Sequence, residues 1–198
     1  MRRNMYREQL KPGIIIFFLL TIITGMIYPL LVTGIARGFF HEKADGSLIY
    51  RSGTPVGSTL IGQPFDDPRY FWGRPSTTSP VPYNAASSSG SNFGPLNPSF
   101  IDAVKSRIAT IKSVDPSNKN PIPVDLITSS ASGLDPHISL SGAYYQIPRV
   151  ARLRGLSEDT VRTIVRQHTS GRFLGLIGEP VVPVLELNLA LDDLMKKE

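Results

Sequence analysis

The chain of 198 residues contains no cysteine, which removes disulfide staples, zinc–thiolate sites and thiol nucleophiles from consideration. Its three histidines, His41, His137 and His168, share no metal-ligand spacing. Neither a G-x-x-x-x-G-K-[ST] phosphate loop nor a G-x-G-x-x-G turn occurs. Ser132, Asp135 and His137 are close in sequence, yet no nucleophile elbow surrounds them, and Asp135 before Pro136 reads as a turn former. A dense basic tract is missing too. The net charge is +5, but its cations are scattered, so nucleic acid is not the expected partner. These absences leave no self-sufficient enzyme in view.

What the chain does have is one long apolar run. No charged side chain occurs from Pro12 to Ala36, and of the 21 residues from Gly13 to Thr33, 13 are Ile, Leu, Phe or Val. As a helix, that core reaches roughly 31 Å, the thickness of a bilayer's hydrocarbon layer. The same side chains favour insertion by roughly 4–8 kcal/mol. A cleaved signal peptide is the rival, but the run exceeds the usual apolar region of about 7–15 residues and no small-x-small site follows cleanly. The expected layout is a tail over 1–11, a transmembrane helix over 12–36 and a globular domain over 37–198. Arg2, Arg3, Arg7 and Lys11 precede the span, whereas Arg37 and Lys43 after it are offset by Glu42 and Asp45. Cations are retained on the cytoplasmic side. The N-terminus is therefore expected in the cytoplasm, with the domain outside a cell (inner) membrane crossed once.

Thr21, Gly25, Pro29 and Thr33 recur every fourth residue within the span, and Tyr28 flanks them. Small residues at that interval let a second helix approach closely, although an anchor that merely tolerates them is an equal reading. Pro29 lacks the backbone donor for the Gly25 carbonyl, so a kink is expected there.

Beyond the span the pattern reads as mixed α+β. Short strands are expected at Gly57–Ile61, around Tyr70 and Trp72, at Val124–Ile127 and at Val181–Leu185. Residues 75–98 are so rich in Ser, Thr, Pro, Gly and Asn that composition alone leans towards a disordered linker. Against that, Tyr83 and Phe93 are embedded in it, and a long structureless loop is unusual inside one domain. Asn97 with Pro98 marks a helix start, with Asp115-Pro116 as its end. Further helices are expected from about Ser141 to Arg154 with Gly155 just beyond, after the cap Ser157, and from a cap at Asn188 through Met195. Arg149, Arg152, Arg154, Arg162 and Arg166 read either as a solvated helix face or as a surface for anions or an acidic partner.

Several blocks are recognisable as they stand. Thr24-Gly-Met-Ile-Tyr-Pro-Leu30, Gly57-Ser-Thr-Leu-Ile-Gly-Gln63, Tyr70-Phe-Trp-Gly-Arg-Pro-Ser76 and Tyr83-Asn84 occur in order. Ser89-Gly-Ser-Asn-Phe-Gly-Pro-Leu-Asn-Pro98, Ser130-Ala-Ser-Gly-Leu-Asp-Pro-His-Ile-Ser139 and Gln146-Ile-Pro-Arg-Val-Ala151 follow, and Val184-Leu-Glu-Leu-Asn-Leu-Ala-Leu191 closes the series. Over nearly its whole length the chain resembles the C subunit of the bacterial high-affinity potassium-transporting P-type ATPase, the Kdp complex. Ser89, Leu140 and Pro183 depart from the family's usual glycine, proline and asparagine.

The resemblance implies a non-catalytic accessory subunit needed for assembly. Its partners would be a potassium-pathway subunit, an ATP-hydrolysing P-type subunit, a small accessory peptide and membrane lipid. The family is described as a catalytic chaperone that raises the pump's ATP affinity. No cofactor is assigned to this chain; ATP acts in the complex. An extracytoplasmic domain cannot touch ATP, and Leu140-Ser-Gly142 only faintly resembles a transporter signature. The resemblance also overrules the disordered reading of the serine-rich segment. The docking-face candidates are Thr21, Gly25, Tyr28, Pro29 and Thr33. The partner-contact or structural candidates are Arg74, Pro75, Ser76, Tyr83, Asn84, Gly90, Ser91, Asn92, Asp135, Gln146, Arg149, Glu186 and Asn188. The alternative is a membrane-anchored extracytoplasmic binding protein independent of any pump.

Overall fold

The computed structural model describes residues 2–195, with side chains described from Glu8 onward. The Arg2, Arg3 and Arg7 side chains that bear on orientation lie outside that set. The chain divides between Leu48 and Ile49 into two units.

The first unit is helical. α1 (Arg2–Ile22) runs through a π-helical segment (Ile23–Ile27) into α2 (Tyr28–Phe39), followed by the short α3 (His41–Ala44). Helix therefore extends beyond the 12–36 span at both ends, and Pro12 lies inside α1. The stretch Glu8–Phe39 is long and apolar enough to cross a membrane. The kink expected at Pro29 takes the form of the π segment just before it. Proline cannot donate to the Gly25 carbonyl and crowds it. The preceding turn widens instead, and the Tyr28 N–H bonds the Ile23 carbonyl five residues back.

The second unit is mixed α+β, as the sequence pattern implies. It opens with β1 (Leu48–Arg51) paired to β2 (Thr54–Ser58). Ser52 and Gly53 turn the chain with φ of 49° and 78°, the doubly positive pattern that matches strand twist. The strand expected at Gly57–Ile61 thus starts earlier and ends at Ser58, and Ile61 returns only as an isolated bridge to Ser58.

α4 (Pro98–Val114) begins where Asn97 Oδ1 accepts the Ser99 N–H at 2.9 Å and ends at Asp115. The strand expected at Val124–Ile127 is instead a 3₁₀ turn, Val124–Leu126. In a strand those two residues would share a face, yet Leu126 is buried and Val124 exposed. β3 (His137–Ser139), for which no strand was expected, leads directly into α5 (Leu140–Arg154).

Ser139 caps α5 through the Gly142 N–H at 2.9 Å, and Gly155 closes it in the left-handed region at φ 69°. Ser157 caps α6 (Glu158–Gln167) through Thr160 at 3.0 Å. β4 (Val181–Pro183) then pairs antiparallel with β3, Ile138 opposite Val182. Its strand stops short of the expected Leu185 because α7 (Val184–Met195) begins at once, and the Val184 N–H still bonds the Pro136 carbonyl at 3.0 Å. Asn188 is therefore inside a helix and not its cap.

The core forms where α5, α6 and α7 meet. Ala143, Ile147 and Val150 of α5, Val161 and Val165 of α6, and Leu187 and Leu191 of α7 are almost fully buried, with Val182, Ile138, Leu126 and Phe71. Tyr70 lies in a bend and Phe71 and Trp72 belong to no strand, which corrects that expectation. Side chains replace the missing neighbours. Asn188 Oδ1 accepts the Phe71 N–H at 2.8 Å while its amide donates to the Phe71 carbonyl at 2.9 Å. On the other edge Gln146 Oε1 accepts the Trp72 N–H at 2.8 Å while Gln146 Nε2 donates to the Trp72 carbonyl at 3.1 Å.

Asn188→Leu should leave two buried backbone groups of Phe71 unpaired, at roughly 1–3 kcal/mol each. We expect about 2–6 kcal/mol of destabilisation in denaturant titrations of the detergent-solubilised chain. An unchanged midpoint would show that the pairing contributes nothing net.

Candidate functional site

In the first unit, the four-residue repeat would drift about 40° per step round a regular helix, or about 120° from Thr21 to Thr33. The single extra residue of a π turn takes back about 100°. The net offset from Thr21 to Thr33 thereby falls to about 20°. Thr21 Oγ1 donates to the Phe17 carbonyl at 2.8 Å and Thr24 Oγ1 to the Leu20 carbonyl at 2.7 Å. Those donors are spent within the helix, so the face offers shape more than hydrogen bonds. Apart from the helix's own backbone, nothing lies within 4 Å of the position a Cβ on Gly25 would take, and Tyr28 beside it is 64% exposed.

In the second unit, the candidates gather in two places. The first is a polar knot between the serine-rich segment and residues 129–135. Ser76 Oγ accepts the Tyr83 N–H at 2.9 Å and donates to the Gly133 carbonyl at 2.7 Å. Thr78 Oγ1 accepts the Asn84 N–H at 2.9 Å and donates to the Val81 carbonyl at 2.7 Å, while Asn84 Nδ2 reaches the Ser79 carbonyl at 2.8 Å. Tyr83, held at φ 57°, donates its hydroxyl to the Arg74 carbonyl at 2.6 Å. The Arg74 guanidinium reaches Asp135 at 3.1 Å and the Ser129 carbonyl at 3.2 Å.

Glycines let these strands of chain touch. A methyl on Gly90 would fall 2.6 Å from the Ala131 carbonyl, and one on Gly62 would fall 2.7 Å from that of Asp135. The segment is thus tied down bond by bond, against its linker-like composition. Burial works against the charge of Asp135, but hydrogen bonds from His137 and Arg74 outweigh it and hold its carboxyl below the usual range. The same carboxylate accepts the His137 backbone N–H at 3.0 Å, and Ser132 Oγ accepts the Leu134 N–H at 3.1 Å. That is turn geometry. Pro75 and Ser91 are half-buried, and Asn92 is exposed with φ 50°.

The second gathering surrounds Trp72. Arg149, 3% exposed, donates to Gln146 Oε1 at 2.6 Å, to the Tyr70 carbonyl at 3.1 Å and to the Pro68 carbonyl. Its guanidinium stacks 4.8 Å from the Trp72 ring centroid, with Arg107 at 5.2 Å. Burial pushes the Arg149 guanidinium down to about 10, still charged at neutral pH. Arg154 bonds the Arg69 carbonyl at 2.7 Å and Asp192 at 3.0 Å, and lies 4.5 Å from the Tyr70 centroid. The solvated-face reading therefore fails for Arg149 and Arg154. Glu186 lies half-buried in the first turn of α7.

Sequence reasoning missed Arg107, which bonds the Leu126 and Gly73 carbonyls at 3.1 and 3.3 Å. No local signal marks an arginine whose partners lie 19 and 34 residues away. The start of α5 is closed to phosphate: Asp125 accepts the Ser139 N–H at 2.7 Å, and its carboxylate oxygen would lie 2.9 Å from a Cβ on Gly142. Among the described residues, no three His, Asp or Glu side chains gather as metal ligands would.

The sequence model of the family described as "K+-transporting ATPase, c chain" matches residues 10–193. The chain belongs to the KdpC family. Its sequence is 61% identical over 187 residues to the potassium-transporting ATPase KdpC subunit of Dechloromonas aromatica, covering 94% of this chain and 98% of that one. It is 59% identical to the KdpC subunit of Sorangium cellulosum, over 92% and 96% of the two chains. The KdpC subunit of Herpetosiphon aurantiacus is 56% identical over 95% of this chain and 97% of its own. Matches of this extent cover both units, the helix and the clamp around Trp72 alike.

Burial pushes the Tyr83 phenol up to about 12. The folded state then favours the neutral phenol, so this stabilisation is complete below the unfolded value near 10 and is lost as pH climbs towards 12. Denaturant midpoints measured from pH 8 to 12 should fall steeply across that window. Tyr83→Phe should be less stable at pH 8 and fall less steeply; a parallel decline in both proteins would remove Tyr83 as the cause.

Proposed function

We propose that this chain is a non-catalytic assembly subunit of a potassium-transporting ATPase, acting from outside the membrane. The observation that carries the reading is where the polar blocks quoted above go: into the knot and the Trp72 clamp, which fix a shape. Neither arrangement forms a cradle for nucleotide. The Thr21/Gly25/Pro29/Thr33 face docks on a potassium-pathway subunit, and the domain caps that subunit's extracytoplasmic entrance. ATP hydrolysis belongs to a separate P-type subunit, and a small peptide completes the assembly.

Orientation rests on the four cations before the span. If the family's effect on ATP affinity operates in this chain, it passes through the helix or the partner subunits over a long range, because Asp125 already occupies the α5 N-terminus. Relatives named as ATPase subunits over nearly their whole length favour this reading over a binding protein independent of any pump.

Two experiments bear on it. Gly25→Leu adds bulk where the chain has no neighbour, so it should leave the isolated chain intact yet lower the yield of intact complex by about tenfold, the effect of roughly 1.4 kcal/mol. An undiminished yield would reject that docking face. Separately, a C-terminal tag should be lost when spheroplasts are treated with protease. A tag protected until lysis would place the domain in the cytoplasm and restore direct nucleotide contact as a possibility.

A further inference from the structure

α4 ends beside the Trp72 clamp, at a buried carboxylate that the clamp does not touch. Asp115, the residue that closes α4, is 2% exposed. Its Oδ1 accepts from Arg152 at 2.8 Å and from the Ser117 hydroxyl at 3.3 Å. Its Oδ2 is buried and has no hydrogen-bond partner among the described residues. Native proteins rarely leave such an oxygen unanswered, because its lost hydration is not replaced. Asp115 lines a narrow cavity together with Trp72, Arg107, Arg149 and an apolar wall that includes Val114 and Leu126. About 10 Å³ of it is open to the centre of a water molecule.

The lining selects what can meet Oδ2. The occupant has to donate a hydrogen bond, which excludes a halide or any other ion that only accepts. Arg107 and Arg149 share the same walls, which excludes a cation. The volume is about that of one water site, which excludes anything larger. A neutral molecule of one heavy atom, both donor and acceptor, fits all three conditions. Its acceptor side is provided for as well. Each guanidinium carries five N–H groups, of which Arg149 commits three and Arg107 two to protein oxygens. Asp115 also lies close enough to Arg149 to oppose the effect of burial on that guanidinium. Yet the ion pair that Asp115 makes is with the half-exposed Arg152, so the two buried charges face one cavity without touching.

We propose that one water molecule is a fixed part of the Trp72 clamp, donating to Asp115 Oδ2 and accepting from a guanidinium of the clamp. Through it the end of α4 is joined to the buried face of α5, where the direct contact through Arg152 reaches only the exposed one.

Crystals of the full chain, grown with bromide and rubidium as the salt ions and diffracting well enough to show ordered water, test the site directly. Expected is a density peak without anomalous signal, about 2.6–3.2 Å from Asp115 Oδ2 and from a guanidinium nitrogen. An anomalous signal there would make the occupant an ion and overturn the proposal. So would a cavity without density, or one closed by direct contact between Oδ2 and a guanidinium. Val114→Ile gives a second reading, in denaturant titrations of the detergent-solubilised chain. The added methylene should expel the water and strand Oδ2, lowering the folding equilibrium constant by at least about tenfold. A dry cavity would simply be filled, so a variant as stable as the unaltered chain, or more so, would overturn the proposal.

Discussion

Asn188 of α7 and Gln146 of α5 reach the two edges of one extended dipeptide, Phe71-Trp72, and each satisfies both the donor and the acceptor of one residue. In extended backbone, successive residues present their polar groups to opposite sides. Two flanking strands would normally answer them. Among side chains, only carboxamides carry a donor and an acceptor spaced to imitate a strand edge. The arrangement therefore fixes the distance between α5 and α7 and places Phe71 in the core beneath them. It also sets Trp72 under the Arg149 and Arg107 guanidiniums, whose remaining donors go to the carbonyls of Tyr70 and of Gly73 and Leu126. The irregular chain from Gly73 onward starts from this fixed point.

Legibility of the fold follows the range of the interactions. Asn97, Ser157 and Gly155 act on atoms within a few residues, so the limits of α4, α5 and α6 could be read from the sequence. The 3₁₀ turn at Val124–Leu126 could not, because Asp125 is drawn round to the Ser139 N–H, 14 residues on. Nor could the role of Asn188. An asparagine in helical sequence reads locally as a cap, and its true partner is 117 residues away. For the candidate site, motif blocks pointed to Gln146, Arg149 and Asn188 before any geometry did, but gave no account of what they touch. Arg107 lay outside every quoted block, and it was missed.

The long apolar helix shows how one constraint can serve two ends. Pro29 makes a regular helix impossible at that level, and the widened turn that accommodates it cancels most of the drift in the four-residue repeat. An unbroken helix would spread Thr21, Gly25, Pro29 and Thr33 over a third of its circumference. The irregularity gathers them into a seam narrow enough for one neighbouring helix. Proline is thus better understood here through the register it imposes than through any bend.

The serine-rich segment bears on function through entropy. Fixing backbone costs about 1–2 kcal/mol per residue, and this stretch contributes little apolar burial to offset it. Order is maintained by hydrogen bonds from Ser76, Thr78, Tyr83 and Asn84 and by glycines that admit carbonyls at close range. A chain that needed only a tether between β2 and α4 would gain nothing by ordering it. Enzymes spend such order on holding a reacting group, yet the charged groups in this knot are already neutralised by one another, Arg74 against Asp135. What remains is a surface of fixed shape. Order fixed in advance lowers the entropy lost in any docking, a service that an accessory subunit can give without chemistry of its own.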